Sequence, residues 1–216
     1  MNLLIIVLRP LYDLLYHQFA WTYDVVAAVV SLGQWGEWVR ASLPFVEGPS
    51  VLELGYGPGH LLAALTEKGY RVFGLDESRF MSHQAGTRLK KAGAPVRILR
   101  GYAQNLPFAG SSLQSVVSTF PSEYIFDPHT LEEVHRVLSP GGKFILLPWA
   151  WITGRGILER VAAGLARVTG ESPGDAGSIP AGLKVKFQEA GFEVAWEILH
   201  LRSSAVLVII ATKSPL

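Results

Sequence analysis

Cysteine is absent from this chain of 216 residues, which excludes a disulfide scaffold, a thiolate zinc site and thiol nucleophilic catalysis, and fits a reducing, cytoplasmic setting. Charge is scarce as well: Asp, Glu, Lys and Arg make up 17% of the sequence and nearly cancel, leaving a formal net charge of +1. Such a balance creates no general field for nucleic acid, so no nucleic-acid partner is expected. The one local basic cluster, Arg88, Lys90, Lys91, Arg97 and Arg100, reads as a solvated face. No stretch reaches the about 20 apolar residues that a spanning helix needs. His17, His60, His83, His129, His135 and His200 are scattered, with none of the carboxylate-flanked spacings of a metal site, so no metal is expected. Neither a Gly-x-Ser-x-Gly elbow nor a Lys-bearing phosphate loop occurs, which leaves hydrolase and NTPase readings without support.

Apolar residues are abundant, at 49%, enough for one well-buried domain. Residues 1–8 are apolar and precede Arg9-Pro10, whereas a secretory signal would carry its charge before the apolar run and a small-residue cleavage site after it. Leu4, Leu8, Leu11, Leu15 and Phe19 share one helical face, which packs on the core, covers a site or lies on a membrane surface. Residues 1–45 are therefore expected as a helical cap or lid and residues 46–216 as the main domain. Peripheral membrane contact through the first helix stays open.

From residue 50 onward strands and helices alternate. Strands are predicted near 50–54, 71–75, 96–100, 113–119 and 143–149, with helices near 60–68, 78–92 and 128–138. Alternation of this kind predicts an α/β fold with a mostly parallel sheet and helices on both faces. Met81, Ala85, Leu89 and Ala92 form one apolar helix stripe, and Leu131, Val134 and Leu138 another. The last third reads as a helix over 155–169, a Gly/Pro/Ser-rich loop over 170–182 and a helix over 184–190. Two apolar strands follow, 192–201 and 204–212. Their two-residue connection is too short for a crossover, so they must be antiparallel.

The most telling segment is Glu53-Leu-Gly-Tyr-Gly-Pro-Gly59, at the end of the first strand and the start of a helix. Gly55, Gly57 and Gly59 let the turn take positive φ and approach a ligand closely, and the helix behind it presents unpaired N–H groups. A dinucleotide fingerprint places its third glycine one residue later. Glu53 suits a positively charged ligand better than a phosphate. Asp76 ends the next apolar run.

With Val72-Phe-Gly-Leu-Asp76, Ala103-Gln-Asn-Leu-Pro-Phe108 and Val134-His-Arg-Val-Leu-Ser-Pro-Gly-Gly-Lys-Phe144 in the same order, residues 50–147 resemble the class I S-adenosylmethionine (SAM)-dependent methyltransferases, in particular the small-molecule branch containing the quinone-ring methyltransferases. The resemblance implies a Rossmann-like seven-stranded sheet with an antiparallel last strand, SAM as cofactor and an N-terminal helical cap. It places Gly55, Tyr56, Gly57 and Gly59 against the methionine part of SAM, with Glu53 at its polar end. Asp76 would accept bonds from both ribose hydroxyls, beside Glu77; the alternative, a helix-terminal carboxylate, is the weaker reading. Met81 contacts adenine or fills the core. Tyr102 and Ala103 follow the third strand, where relatives usually carry an acidic residue for the adenine amino group. Gln114 stands where they commonly have Asp.

Ser118 and Phe120, at the end of the fourth strand, lie beside the reactive methyl group in this resemblance, and Tyr23, from a Tyr-Asp pair, approaches the cofactor. Glu123, Tyr124 and His129 are the candidates for orienting or deprotonating an acceptor; Glu123 and His129 also read as plain loop residues. Methyl transfer from a sulfonium is a direct displacement, so alignment and exclusion of water matter most, and a base is needed only for an acceptor of high pKa. Trp149 and Trp151, with Trp21, Trp35 and Trp38 of the cap, favour a small, largely apolar acceptor; Trp35 and Trp38 also suit core packing. The remaining alternatives are a macromolecular acceptor, tRNA or protein, and a SAM-binding module that regulates without catalysing.

Overall fold

The computed structural model describes residues 27–28, 31–154 and 181–214. The apolar stripe of the first 19 residues, Trp21, Tyr23 and the helix expected over 155–169 fall outside them. Helix α1 (Trp35–Arg40) and a 3-10 turn (Leu43–Phe45) lead into β1 (Ser50–Leu54), α2 (His60–Glu67), β2 (Arg71–Asp76), α3 (Arg79–Lys91) and β3 (Ile98–Arg100). After β4 (Leu113–Thr119) come a 3-10 turn (Glu123–Phe126), α4 (Pro128–Val137) and β5 (Leu138–Ile152). The chain closes with α5 (Ala181–Glu189), β6 (Phe192–His200) and β7 (Ser204–Lys213).

The seven strands form one sheet in the order β3-β2-β1-β4-β5-β7-β6. Strands β1 to β5 pair in parallel, and β7 runs antiparallel to both β5 and β6. This is the Rossmann-like arrangement expected, with the last strand reversed because its short connection forbids a crossover. The chain builds outward from β1 to β3 and then returns to the other side of β1 with β4. That reversal opens a crevice at the carboxyl ends of β1 and β4.

Two apolar layers sandwich the sheet. One joins Trp38 and Val39 of α1, Leu61 and Leu65 of α2 and Met81, Ala85 and Leu89 of α3 to Val51, Val117 and Ile145. The other joins Leu131 and Val134 of α4 and Phe187 of α5 to Leu52, Leu54, Phe144 and Ile209. Fully buried side chains of this size each contribute about 1.5–3 kcal/mol. Helix α1 is fastened to the far strand as well: the Trp38 indole donates to Ser204 Oγ at 2.8 Å, and Ser204 Oγ donates to Gln34 Oε1 at 2.8 Å. The last residues of the expected cap thus share a core with the sheet.

Two strands differ from expectation. β5 begins at Leu138, directly after α4, because Leu138 pairs with Leu113 and a register shift before Ser115 absorbs the Pro-Gly-Gly turn. β3 is shorter than 96–100, and as the outer strand it lies just past Pro95, which lacks the N–H to extend the ladder. Gln114 serves the sheet, since its Oε1 accepts from Ser50 N at 3.1 Å and pins the start of β1. Among the described residues no helix is long and apolar enough to cross a membrane.

Candidate active site

The glycine turn is built by φ angles of +66° at Gly55, +49° at Gly57 and +82° at Gly59, values that L side chains adopt only under strain. Its struts come from three sides. Gly55 N donates to Leu75 O at 2.8 Å, Gly57 N donates to Asp76 Oδ2 at 3.0 Å, and the Arg88 guanidinium donates to Pro58 O. Gly59 caps α2 and lies so close to α3 that a Cβ there would sit 2.9 Å from the Ala85 Cβ. At Gly55 a Cβ would overlap the Tyr124 hydroxyl. At Gly57 it would meet nothing within 4 Å, so the turn is open at that one point.

Two buried carboxyl groups adjoin this turn, Asp76 by accepting from Gly57 N and Glu53 at the end of β1. Glu53 is 2% exposed and Asp76 3% exposed. Strand alternation puts Glu53 on the same face as Val51, towards α2, where the Leu62 N–H donates to it. Its Oε2 is buried and has no hydrogen-bond partner within the protein. Burial first, and then the negative charge of Asp76, push the Glu53 carboxyl well above the ordinary carboxylate range; the Leu62 N–H only partly opposes this. Asp76 accepts from Ser78 N at 2.8 Å as well as from Gly57 N. The helix-capping role belongs to Ser78, whose Oγ accepts from Met81 N at 3.3 Å.

At the end of β4, Ser118 Oγ donates to Leu54 O at 2.7 Å and is paired with Tyr124. Burial pushes the Tyr124 phenol far above its usual range, and the charges of Asp76 and Glu77 act the same way. Tyr124 therefore keeps its proton and serves as a donor, not a base. Phe120 holds φ +50°, its N–H donating to Leu147 O at 2.8 Å. A non-glycine residue in this region costs on the order of 1 kcal/mol. The strained backbone turns the ring onto Trp35, with centroids 4.6 Å apart, and Trp38 closes the cluster at 6.0 Å. Glu123 is exposed on the 3-10 turn. His129 stands apart from these groups: its side chain is 77% exposed and it pairs with Glu132 at 3.4 Å on the first turn of α4.

The other expected contacts sort by burial. Met81 is fully buried in the core stripe, Ala103 is buried and Glu77 exposed, while Tyr102 is 67% exposed. The Tyr56 side chain is buried, and its hydroxyl shares a 2.7 Å bond with Ser82 Oγ. Two elements were not foreseen. Arg88, counted with the solvated basic cluster, reaches the turn carbonyl. Glu133 and Arg136 hold the loop bearing Ala103, through Glu133 Oε2 accepting from Leu106 N at 2.7 Å and Arg136 donating to Leu106 O and Phe108 O at 2.9 and 2.8 Å. An acid and an arginine three apart on a helix signal an ion pair, but not which distant loop the pair will grip.

The orphaned Glu53 oxygen and the open face at Gly57 together fit a ligand with a cationic end and hydroxyl donors. Among the described residues no group of His, Asp and Glu is placed to hold a metal ion.

Residues 51–142 match the family model of the methyltransferase domain. The chain is 33% identical over 144 residues to a demethylmenaquinone methyltransferase of Symbiobacterium thermophilum, covering 62% of this chain and 57% of the relative. It is 31% identical over 144 residues to the ubiquinone/menaquinone biosynthesis C-methyltransferase of Legionella pneumophila (strain Corby), covering 62% and 58%. The chain thus spans under two thirds of the length of either relative. Solved structures share the fold. A Thermotoga maritima SAM-dependent methyltransferase described as a possible histamine N-methyltransferase superimposes with TM-score 0.58 at 23% identity, covering 91% of this chain and 97% of that one. A SAM-dependent methyltransferase from Aquifex aeolicus gives 0.56 at 17%, covering 82% and 89%.

Proposed function

We propose, for a chain that belongs to the class I SAM-dependent methyltransferases, that it transfers a methyl group from SAM to a small, largely apolar acceptor with a planar ring of the quinone or phenol kind. The observation carrying this reading is the pairing of a buried, partnerless Glu53 oxygen with an opening at Gly57 on one side of the crevice and an aromatic wall on the other. The names of the curated relatives favour a quinone-like ring.

SAM supplies a methyl group already activated on a sulfonium. What falls to this chain is binding, orientation and exclusion of water. Glu53 receives the ammonium of the methionine end, the turn from Gly55 to Gly59 lies along it, and Asp76 accepts from ribose hydroxyls. Ala103 borders the adenine side. Phe120, with Trp35 behind it, offers the acceptor ring an apolar surface held in place by Leu147 O. Tyr124, whose proton goes to Ser118 Oγ, offers its hydroxyl oxygen to a donor on the acceptor and so orients it. Glu123, exposed at the rim, is the residue available to take a proton from an acceptor that has one to lose.

Incubation with methyl-labelled SAM and a panel of quinones, phenols, amines, lipids and RNA tests this reading. Label is expected on ring compounds of the first two classes. Transfer only to RNA, or SAM binding with no transfer to any acceptor, would overturn the assignment.

The turn itself separates folding from binding. Gly57→Ala is expected to lower stability by only about 1 kcal/mol, the cost of the left-handed conformation, while weakening SAM at least tenfold, because its Cβ enters the open side. Gly55→Ala adds a clash with Tyr124 and should lower stability by about 2–4 kcal/mol. Thermal melts beside calorimetry distinguish the two. Tyr124→Phe should lower kcat less than about tenfold and leave the pH profile unmoved, whereas loss of a true base would cost about 100-fold or more.

A further inference from the structure

The crevice contains two nearly inaccessible carboxyl groups from neighbouring parallel strands, and at Glu53 burial and the Asp76 charge outweigh the one backbone N–H it receives. Asp76 ends β2 and Glu77 follows it, both acidic, and Tyr124 arrives neutral from the turn after β4. Arg100 of β3 donates to Glu77 O at 3.2 Å, and Arg88 of α3 donates to Pro58 O, so both cations reach backbone carbonyls. Half-buried His60 opens α2. Asp76 is held by N–H donors from Gly57 and Ser78 among its partners. Glu53 is held by the Leu62 N–H on one side and by nothing on Oε2. Of the two, Glu53 is the poorer place for a negative charge.

We propose that Glu53 holds a proton on Oε2 in the cofactor-free protein and loses it to solvent when the ammonium of the cofactor's amino-acid end arrives, so that SAM binding is coupled to release of one proton. The inference rests on the SAM reading of the site. In the step the O–H bond of the Glu53 carboxyl breaks, the proton passes to buffer, and the carboxylate accepts a charge-assisted hydrogen bond from the ammonium. Bound and free states then differ by one proton, and affinity rises with pH. Product S-adenosylhomocysteine has the same amino-acid end and is subject to the same linkage. A nucleoside lacking that end is not.

Calorimetric titration of the full chain with SAM at about pH 6, below the usual range of an amino group, is run in two buffers of different ionisation enthalpy. The heat should differ between buffers by the amount corresponding to proton release, for SAM and for S-adenosylhomocysteine, and not for 5′-methylthioadenosine. Across about pH 5 to 7, affinity for SAM should fall by up to about tenfold per unit of pH lowered. Glu53→Gln should bind more weakly, with a flat pH dependence and no buffer dependence. Binding of SAM with equal heat in both buffers and a flat pH profile overturns the proposal while leaving the SAM reading intact. Proton release that persists in Glu53→Gln, or that appears with methylthioadenosine, overturns it too. Absence of any SAM binding removes both.

Discussion

Asp76→Ala is expected to weaken SAM by about 10- to 150-fold, or roughly 1.5–3 kcal/mol, while leaving the sheet folded. Two losses combine. The charge-assisted bonds to the ribose hydroxyls disappear, and the Gly57 N–H loses the carboxylate oxygen 3.0 Å away that fixes the turn. Asp76→Asn separates them, since an amide oxygen still accepts from Gly57 but one of the two acceptor oxygens is replaced by a donor. Its affinity should fall between the two. Isothermal titration of the three proteins checks the order; equal affinity of all three would leave Asp76 as a strut of the backbone and nothing more.

Glu53→Gln is expected to move stability in the opposite direction from binding. The folded-state pKa of Glu53 is raised above its unfolded value of 4.5. The stability associated with the protonated group is therefore fully present below that unfolded value and is lost as pH rises through the folded one. At neutral pH the unfolded chain gains free energy by ionising Glu53 in water, a gain that the buried carboxyl beside Asp76 forgoes. Glutamine keeps an oxygen for the Leu62 N–H and never ionises. The variant should be more stable than the parent at pH 7 by about 1–3 kcal/mol, a rise in Tm of about 2–10 °C for a chain of this size. The gain should shrink towards zero near pH 4. A variant that melts lower at pH 7 would mean that the carboxylate stabilises the fold. A residue kept at a cost to stability beside a glycine turn fits a group retained for its ligand.

The mostly parallel sheet and its reversed last strand were legible because they follow from chain-level constraints: alternation of apolar runs, right-handed crossovers and a short connection before β7. Boundaries were less so. The start of β5 at Leu138 depends on a register shift against β4, which no local pattern announces. In the site, backbone-driven features were readable, since Gly55, Gly57 and Gly59 advertise positive φ by their identity. Side-chain direction was not. Tyr56 sits inside the motif yet turns towards Ser82, because the space beside Gly74 admits its ring; a Cβ at Gly74 would lie 2.7 Å from Tyr56 Cδ1. Arg88 looks like any surface cation until the 30-residue return of the chain brings Pro58 O within its reach. Phe120 was visible as an apolar residue, but its strained φ and contact with Trp35 arise only when α1 packs across β7.

Calorimetric titration of the full chain with SAM, S-adenosylhomocysteine and NAD is the most direct measurement of what the crevice accepts. Binding of SAM and S-adenosylhomocysteine, both weakened in Asp76→Ala, with no heat from NAD, is the predicted result. Binding of NAD with no response to SAM would contradict the assignment of Glu53, Asp76 and the glycine turn to a cationic, phosphate-free cofactor.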